Sequence, residues 1–337
     1  MENSNGAVRK VSVVVCTYNG ERYVREQIDS IIAQTYPIHE IILQDDGSTD
    51  GTFDILCDYA DRHSNVTAWR NESGKGISRN FFSAMARATG DYIALSDQDD
   101  VWEKDKVENQ MEALLQGGGG KLLCFGRTVP FAEGGVEVRS DARVPNYTLV
   151  RLCFANPIPG HTMLFSRRLL DLIPHDEAYL AARTYDVVLA ITAAAYGGVV
   201  YVDRKVVNQR RHAAAATYGK PMDNQYTVGN MVRTVWQSFR LYAELKSELM
   251  ARARLNLRFL SSIRGGCSDL PKAKRMLKAQ AKGTLWSTLW LSLFCLHHQS
   301  ELFWVRERRC LRNNLRALLF PVYCTEYIRY MSKNNKE

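Results

Sequence analysis

The chain has 337 residues, 46% of them hydrophobic and 24% charged, the composition of a folded protein rather than a disordered or membrane-spanning one, with length for one large core and an appendage. Its net charge of +8 is uneven: residues 228–337 hold 20 lysines and arginines against 7 acidic residues, leaving the front mildly acidic, so the two ends face different partners. The eight cysteines stand singly, which excludes a zinc framework or a disulfide scaffold and suits a reducing compartment.

Residues 1–10 are polar, and the apolar run that follows is too short for a secretory signal core; the expected location is the cytoplasm. Strands are predicted at 11–15, 40–43, 66–69 and 92–95, alternating with amphipathic helices at 21–34, 52–62, 77–88 and 103–115. Four rounds of strand then helix imply an α/β fold, a Rossmann-like and mostly parallel central sheet flanked by helices, with ligands at the carboxyl ends of its strands. The glycine tract at 117–120 reads as a hinge. Further strands are expected at 122–125, 160–165 and 199–202, and helices at 166–172 and 185–196. Beyond about residue 231 strand signals vanish and Arg-, Leu- and Trp-rich helical stretches take over.

The carboxyl ends of three predicted strands carry polar clusters: Cys16-Thr17-Tyr18-Asn19-Gly20, then Asp45-Asp46-Gly47-Ser48-Thr49-Asp50, then Asp97-Gln98-Asp99-Asp100. A parallel sheet brings them to one rim. Three carboxylates within four residues repel one another unless a cation sits among them, and a hard divalent ion with oxygen ligands, Mg²⁺ or Mn²⁺, is the expected neutraliser. Alternation along an extended segment puts Asp97 and Asp99 on one side as its ligands. Such an ion would bridge two phosphates and stabilise charge on a leaving diphosphate. The competing reading makes Asp99 or Asp100 the N-cap of the helix starting near 103. In the second cluster Asp50 or Ser48 caps a helix and Gly47 turns the chain, which leaves Asp45 and Asp46 side by side unexplained. A carboxylate there can accept the imide N–H of a pyrimidine, with Tyr18 as a stacking ring and the Thr17 backbone as a second contact. Arg79 and Lys75 are candidates to supply positive charge.

Residues 11–19, Gln34-Thr35-Tyr36-Pro37, residues 45–52 and Gly90-Asp91-Tyr92 running into Asp97-Gln98-Asp99-Asp100-Val101-Trp102 together resemble family-2 glycosyltransferases with a GT-A fold. The Asp-Gln-Asp-Asp-x-Trp form, with Gly160-His161-Thr162-Met163-Leu164-Phe165, resembles the rhamnosyltransferase-like branch of bacterial polysaccharide biosynthesis. The likeness covers about 9–218. It implies inverting transfer of a sugar from a UDP- or dTDP-linked donor to a hydroxyl of a glycan or lipid-linked acceptor. It also implies Tyr18 and Asp46 at the nucleoside, a metal on Asp97 and Asp99, and Asp186 as the base; with Thr17, Asn19, Arg79 and Asp97 these complete the expected donor site. Within Gln209-Arg210-Arg211-His212, Arg210 and His212 correspond to residues that reach the diphosphate. The implied layout is a catalytic domain at 1–227, its nucleotide-sugar half at 9–116 and its acceptor half at 121–218, followed by a basic, amphipathic helical extension at 228–337. The chain departs from the family pattern at Val187-Val188, where Trp-Trp is usual, and at the alanine run 213–216, where an asparagine is expected. These departures motivate the alternative of a nucleotide-sugar or glycan-binding relative without turnover. His161 stands where the family often has Cys, and is expected as a satisfied buried imidazole.

In the tail, Trp286, Leu289, Trp290, Leu293, Phe294 and Leu296 fall on one broad apolar face of a helix at 285–296, too short to span a bilayer. Lys278, Lys282, Arg306, Arg308, Arg309, Arg312 and Arg316 flank it, a pattern expected of peripheral attachment to an anionic membrane surface; packing of this stripe on the catalytic domain is the competing reading. Nucleic acid is not an expected partner, since no recognised platform accompanies the charge.

Overall fold

The computed structural model describes residues 9–72, 74–116, 120–132, 143–212, 228–306 and 310–334, with the backbone alone at 228–235, 237 and 323–334. Most of the predicted glycine hinge (117–119), the alanine run 213–216, Arg308 and Arg309 lie outside the described residues. The chain divides into two units, Met1–Asp141 with Ile158–Arg211, and Ala142–Pro157 with His212–Glu337.

The first unit opens with β1 (Val11–Thr17), α1 (Val24–Ile32), β2 (Glu40–Asp45), α2 (Thr52–Arg62), β3 (Val66–Arg70), α3 (Ile77–Arg87), β4 (Tyr92–Ser96), β5 (Val101–Trp102), α4 (Lys106–Leu115) and β6 (Leu123–Ala132). After α5 (Leu149–Phe154), which belongs to the second unit, come one 3-10 turn (Gly160–Thr162), β7 (Leu164–Ser166), α6 (Arg168–Asp171), α7 (Glu177–Ala182), α8 (Tyr185–Ala195) and β8 (Val199–Arg211). The eight strands form one sheet in the order β3-β2-β1-β4-β7-β6-β8-β5. The first four are parallel, β7 runs antiparallel to both neighbours, and β6 and β8 pair parallel. The predicted α/β class and its mostly parallel sheet are therefore what the chain adopts.

Every residue of β1, Val-Ser-Val-Val-Val-Cys-Thr, is buried, as a strand covered on both faces requires. Val11, Val13 and Val15 join one apolar cluster with Val24, Ile28 and Ile31 of α1, Leu56 and Tyr59 of α2, and Val107 and Met111 of α4. On the other face Gln44 of β2 donates through Nε2 to the Asn80 carbonyl of α3 at 3.0 Å. The alternation of each strand thus assigns helices to the two sides.

Several elements differ from expectation: the strand expected at 160–165 is a 3-10 turn followed by β7, β6 runs on to Ala132, and α5 and α7 were not predicted. Strand β8 runs on to Arg211 because it stays paired with β6 from Leu123↔Val199 to Ala132↔Arg211, through a bulge beside Gly126. Directly after the acidic run, β5 adds a two-residue antiparallel pairing, Val101 opposite Asn208, too short to leave a periodic signal.

The second unit consists of α5 with α9 (Val228–Ser262), α10 (Leu270–Lys282), α11 (Leu285–His297), α12 (Gln299–Leu302) and α13 (Leu311–Asn334). Residues 142–157 belong here by their contacts. Phe154 meets the Phe320 ring edge-on at 5.0 Å, Asn146 Nδ2 donates to the Ser300 carbonyl at 2.7 Å, and Asn256 Nδ2 donates to the Cys153 carbonyl at 3.2 Å. Among the described residues no helix is long and apolar enough to cross a membrane.

Candidate functional site

The loops after β1, β2 and β4 are laced together by hydrogen bonds. Tyr18 N–H donates to Gln98 Oε1 at 2.8 Å, and Gln98 Nε2 donates back to the Tyr18 carbonyl at 3.0 Å. Asn19 takes a left-handed conformation (φ 48°), which Asn tolerates better than most residues. From there its N–H reaches Ser48 Oγ at 2.8 Å and its Oδ1 accepts from Thr49 N–H at 2.9 Å. Gly20 N–H donates to Thr52 Oγ1 at 2.8 Å. The rim is therefore a fixed surface.

The two adjacent aspartates divide the work between them. Asp45 is buried and organises its own turn, accepting from Thr17 Oγ1 at 3.0 Å, Gly47 N–H at 3.0 Å and Ser48 N–H at 2.8 Å. Gly47 supplies the positive φ of 87° that this turn needs. Asp46 faces the other way and holds the β3–α3 connection: its Oδ1 accepts from Asn71 Nδ2 at 2.6 Å and its Oδ2 from Gly76 N–H at 2.8 Å. Each carboxylate oxygen keeps a further lone pair for a ligand. Tyr18 is half exposed beside this turn. The Lys75 ammonium lies over Gly47, 3.7 Å from the position a Cβ would take. Exposed Arg79 sits in the first turn of α3, its Nη1 3.0 Å from the corresponding position on Gly74. Asn71 gave no sequence signal of its own, because its role appears only when β3 is placed beside β2.

Among the described residues, the carboxylates of Asp97 and Asp100 and the His161 imidazole offer ligand atoms within 4.8 Å of one another. His161 Nδ1 lies 3.3 Å from Asp97 Oδ2 and 3.7 Å from Asp100 Oδ2, and its Nε2 is 3.1 Å from Thr128 Oγ1. His161 and Asp100 are buried, whereas the Asp97 side chain is 40% exposed. Among the described residues Asp100 Oδ2 has no hydrogen-bond partner. Burial pushes the Asp100 carboxyl up to about 7 against the opposing pull of His161, with Asp97 and Asp99 adding to the rise. Burial alone would lower His161, but the Asp100 carboxylate and then Asp97 outweigh it and hold the ring above its ordinary value. The buried His161 ring thus stands behind both carboxylates, while Asp97 reaches the surface.

The expectation for this run was Asp97 and Asp99 on one ion, with a helix cap as the rival role. The N-cap position of α4 is Asp105, whose side chain makes no capping hydrogen bond, so neither Asp99 nor Asp100 occupies that position. Asp99 is half-buried, and its carbonyl accepts from Arg210 Nε at 3.0 Å. His161, expected as a satisfied buried imidazole, is buried, and its neighbours make it part of the acidic cluster. Sequence reasoning missed this: the 3-10 turn Gly160–Thr162 lies next to β4 only through sheet topology.

Arg210 is placed differently from its expected contact with a diphosphate. It is 6% exposed and lies beneath the acidic turn, its backbone N–H on Asp100 Oδ1 at 3.1 Å and its Nη2 on Glu26 Oε2 at 2.5 Å. The guanidinium stacks over Tyr23 at 4.8 Å and Phe131 at 4.7 Å. It clamps the turn from below, where a buried arginine satisfies carboxylate and carbonyl together. His212 belongs to the second unit.

Asp186 sits in the first turn of α8, beside Tyr185. The Tyr185 ring stacks on Phe81 with centroids 3.9 Å apart, and its N–H donates to Ser78 Oγ at 3.2 Å. A Cβ on Gly160 would overlap the Tyr185 hydroxyl and come 2.7 Å from Cζ, so only glycine fits there. Burial raises the Tyr185 hydroxyl well above its usual value, and Asp97, Asp186, Cys16 and Asp100 push the same way. Burial likewise raises the Cys16 thiol, with Asp97 and then Asp46 adding to it. The charges of Asp46 and Asp97 are thus felt at Cys16, and those of Asp97 and Asp186 at Tyr185.

Residues 12–171 match the model for glycosyl transferase family 2. A putative teichuronic acid biosynthesis glycosyltransferase of Bacillus subtilis, TuaG, is 41% identical over 108 residues, which is 32% of this chain and 42% of that protein. The UDP-Glc:alpha-D-GlcNAc-diphosphoundecaprenol beta-1,3-glucosyltransferase WfgD of Escherichia coli is 33% identical over 106 residues, 32% of this chain and 41% of that protein. The chain thus spans less than half the length of these curated relatives. Among solved structures, S. aureus TarS 1-349 superposes with a TM-score of 0.50 at 17% identity, covering 95% of this chain and 91% of that one, a likeness of fold. Residues 12–171 thus carry a match to glycosyl transferase family 2, and the fold is of the GT-A type.

Proposed function

We propose that the protein is an inverting glycosyltransferase of cell-surface polysaccharide assembly, moving rhamnose or a hexose from a UDP- or dTDP-linked donor to a hydroxyl of a lipid-linked glycan. What supports this reading is the match of residues 12–171 to glycosyl transferase family 2, with Asp46 and the Asp97–Asp100–His161 cluster at the carboxyl ends of β2 and β4. The name of the E. coli relative, which specifies a UDP-linked donor and a diphosphoundecaprenol acceptor, points the same way. All seven described cysteines are free, in keeping with the cytoplasm as the compartment.

In this account Asp46 accepts from the base of the nucleotide, Tyr18 stacks on it, the Thr17 and Asn19 backbones line the nucleoside, and Arg79 and Lys75 offset phosphate charge. Asp97, with Asp99 beside it, would hold a divalent cation, Mg²⁺ or Mn²⁺, on the exposed side. The donor set fits: carboxylate oxygens at the surface, with the buried Asp100 and His161 orienting Asp97 as outer-shell partners orient a metal ligand. When bound, such an ion supplies positive charge to the departing diphosphate. Arg210 holds the acidic turn in place, and His212 is the further candidate for the diphosphate. Asp186, in the first turn of α8, takes the proton of the acceptor hydroxyl. The oxygen so freed bonds to the anomeric carbon, while the bond from that carbon to the β-phosphate oxygen breaks and its electron pair leaves with the nucleoside diphosphate.

The test is nucleotide release from a panel of UDP- and dTDP-sugars with a glycan acceptor and Mn²⁺. Asp186→Asn should lower kcat by roughly a thousandfold with donor Kd unchanged. Undiminished turnover, or loss of donor binding together with transfer, would overturn the role of Asp186 as base.

A further inference from the structure

We propose that the exposed face of α11 is a docking surface for an anionic lipid bilayer, with the helix lying in the plane of the headgroups. Helix α11 contains no Asp, Glu, Lys or Arg. Leu285 is 74% exposed, Trp286 79% and Leu293 61%, and Leu289 and Trp290 are exposed as well. At helical spacing these five residues share one arc of the surface, while Leu291, Phe294 and Cys295 turn inward. A water-facing helix ordinarily carries polar side chains there. Five contiguous large apolar groups mark an interaction surface, and tryptophans with an exposed edge suit the boundary between water and acyl chain.

The neighbouring helix identifies the occupant. Helix α10 carries Lys272, Lys274, Arg275, Lys278 and Lys282 and no acidic residue. Lys272 is engaged internally, by Asp269 at 2.8 Å and Glu301 at 2.5 Å. Arg275, Lys278 and Lys282 are exposed and stand three and four residues apart, forming one cationic line along α10. The helices join at a fixed corner: Gly283 takes the left-handed C-terminal position (φ 60°) and Thr284 immediately caps α11, accepting from Ser287 N–H at 3.2 Å. An uncharged apolar helix joined to a wholly cationic one complements acyl chains beneath negative headgroups. A second copy of the chain is a poorer fit, because a twofold contact through α11 would bring two cationic α10 helices together. At about 1.5 Å per residue, the 13 residues of α11 fall short of a bilayer core of about 30 Å, so the helix lies along the surface.

This inference stands on the surface of the second unit alone and would hold for a catalytically inactive chain. The full-length protein, sedimented with sucrose-loaded vesicles, should pellet with phosphatidylcholine–phosphatidylglycerol mixtures, much less with phosphatidylcholine alone, and less as salt rises. Trp286→Ser with Leu289→Ser should weaken partitioning by about tenfold or more, and Arg275→Gln with Lys278→Gln and Lys282→Gln should reduce it for anionic vesicles in particular. All five positions are exposed, so unchanged circular dichroism and melting would show that the fold survives. Brominated acyl chains should quench the wild-type fluorescence, and Trp286→Phe should remove much of that quenching. The proposal is overturned if the wild type ignores anionic vesicles or if the α11 variant binds them undiminished. It is equally overturned if the protein is a stable dimer in solution that the α11 substitutions dissolve, which would assign the face to a second copy.

Discussion

The backbone of Tyr18 and the side chain of Gln98 exchange two hydrogen bonds, of 2.8 Å and 3.0 Å, so that one amide stitches the loop after β1 to the loop after β4. The fit is close enough that a Cβ on Gly20 would overlap the Gln98 amide. Each bond contributes about 1 kcal/mol to the order of this edge. Gln98→Ala should therefore raise the Kd for UDP in the presence of Mn²⁺ by roughly tenfold with little change in melting temperature. Gln98→Glu, which keeps the acceptor but sets a carboxylate against the Tyr18 carbonyl, should do no better. Calorimetric titration of both variants checks this, and unchanged affinity would mean that the two loops hold their positions without the stitch.

His161 separates two buried or half-buried carboxylates. Its removal leaves them facing one another, so His161→Ala should cost about 3 kcal/mol of stability and weaken Mn²⁺ binding by about tenfold through the loosened Asp97. Adding Asp100→Asn should recover part of the stability, since a neutral amide no longer repels Asp97. A double-mutant cycle by chemical denaturation measures that coupling; additive losses would show that His161 acts without Asp100.

Gly160→Ala places a methyl against Tyr185, which is already stacked on Phe81. Overpacking of this kind costs about 1–3 kcal/mol. Because Asp186 is the next residue along α8, transfer should fall further than stability alone explains. Comparing kcat with the melting curve of the variant separates the two effects, and a normal kcat would show that Tyr185 does not set the position of Asp186.

Lys106 is fully buried, its ammonium over the Trp102 ring at 4.0 Å and donating to Gln110 Oε1 at 2.8 Å. Burial lowers it from 10.5 to about 7. The unfolded chain keeps that proton up to the ordinary lysine value, whereas the folded chain has released it, so between these limits the unfolded state binds more protons and stability rises with pH. Lys106→Met should stabilise the protein most near pH 6 and progressively less as pH approaches about 10. Denaturation midpoints of the two proteins across this range test the sign, and a difference that grows with pH would contradict it.

The first half of the fold was legible because the signals are local. The Val-rich β1, the amphipathic α2 and α3 and the polar residues at the strand ends each announce themselves within one turn or strand, and a parallel sheet does the rest. The pairing of Asp97 and Asp100 with His161 was not legible, because more than sixty residues separate them and only the antiparallel entry of β7 beside β4 brings that turn to the rim. Arg210 shows the same limit. Its motif was visible, but its direction depends on Glu26, Tyr23 and Phe131, three partners on two other elements and a loop. The apolar face of α11 was readable as periodicity, while which of its residues stay exposed depends on the packing of the other helices in its unit.

The central claim is that the rim aspartates act through one cation that grips a diphosphate. The measurement that tests it most directly is calorimetric binding of UDP to the wild type and to Asp97→Asn, each with Mn²⁺ and with chelator. The account predicts tight binding only for the wild type with Mn²⁺, and a loss of about a hundredfold or more in the other three cases. Equal UDP affinity with and without the metal, or an Asp97→Asn variant that binds as the wild type does, would contradict it.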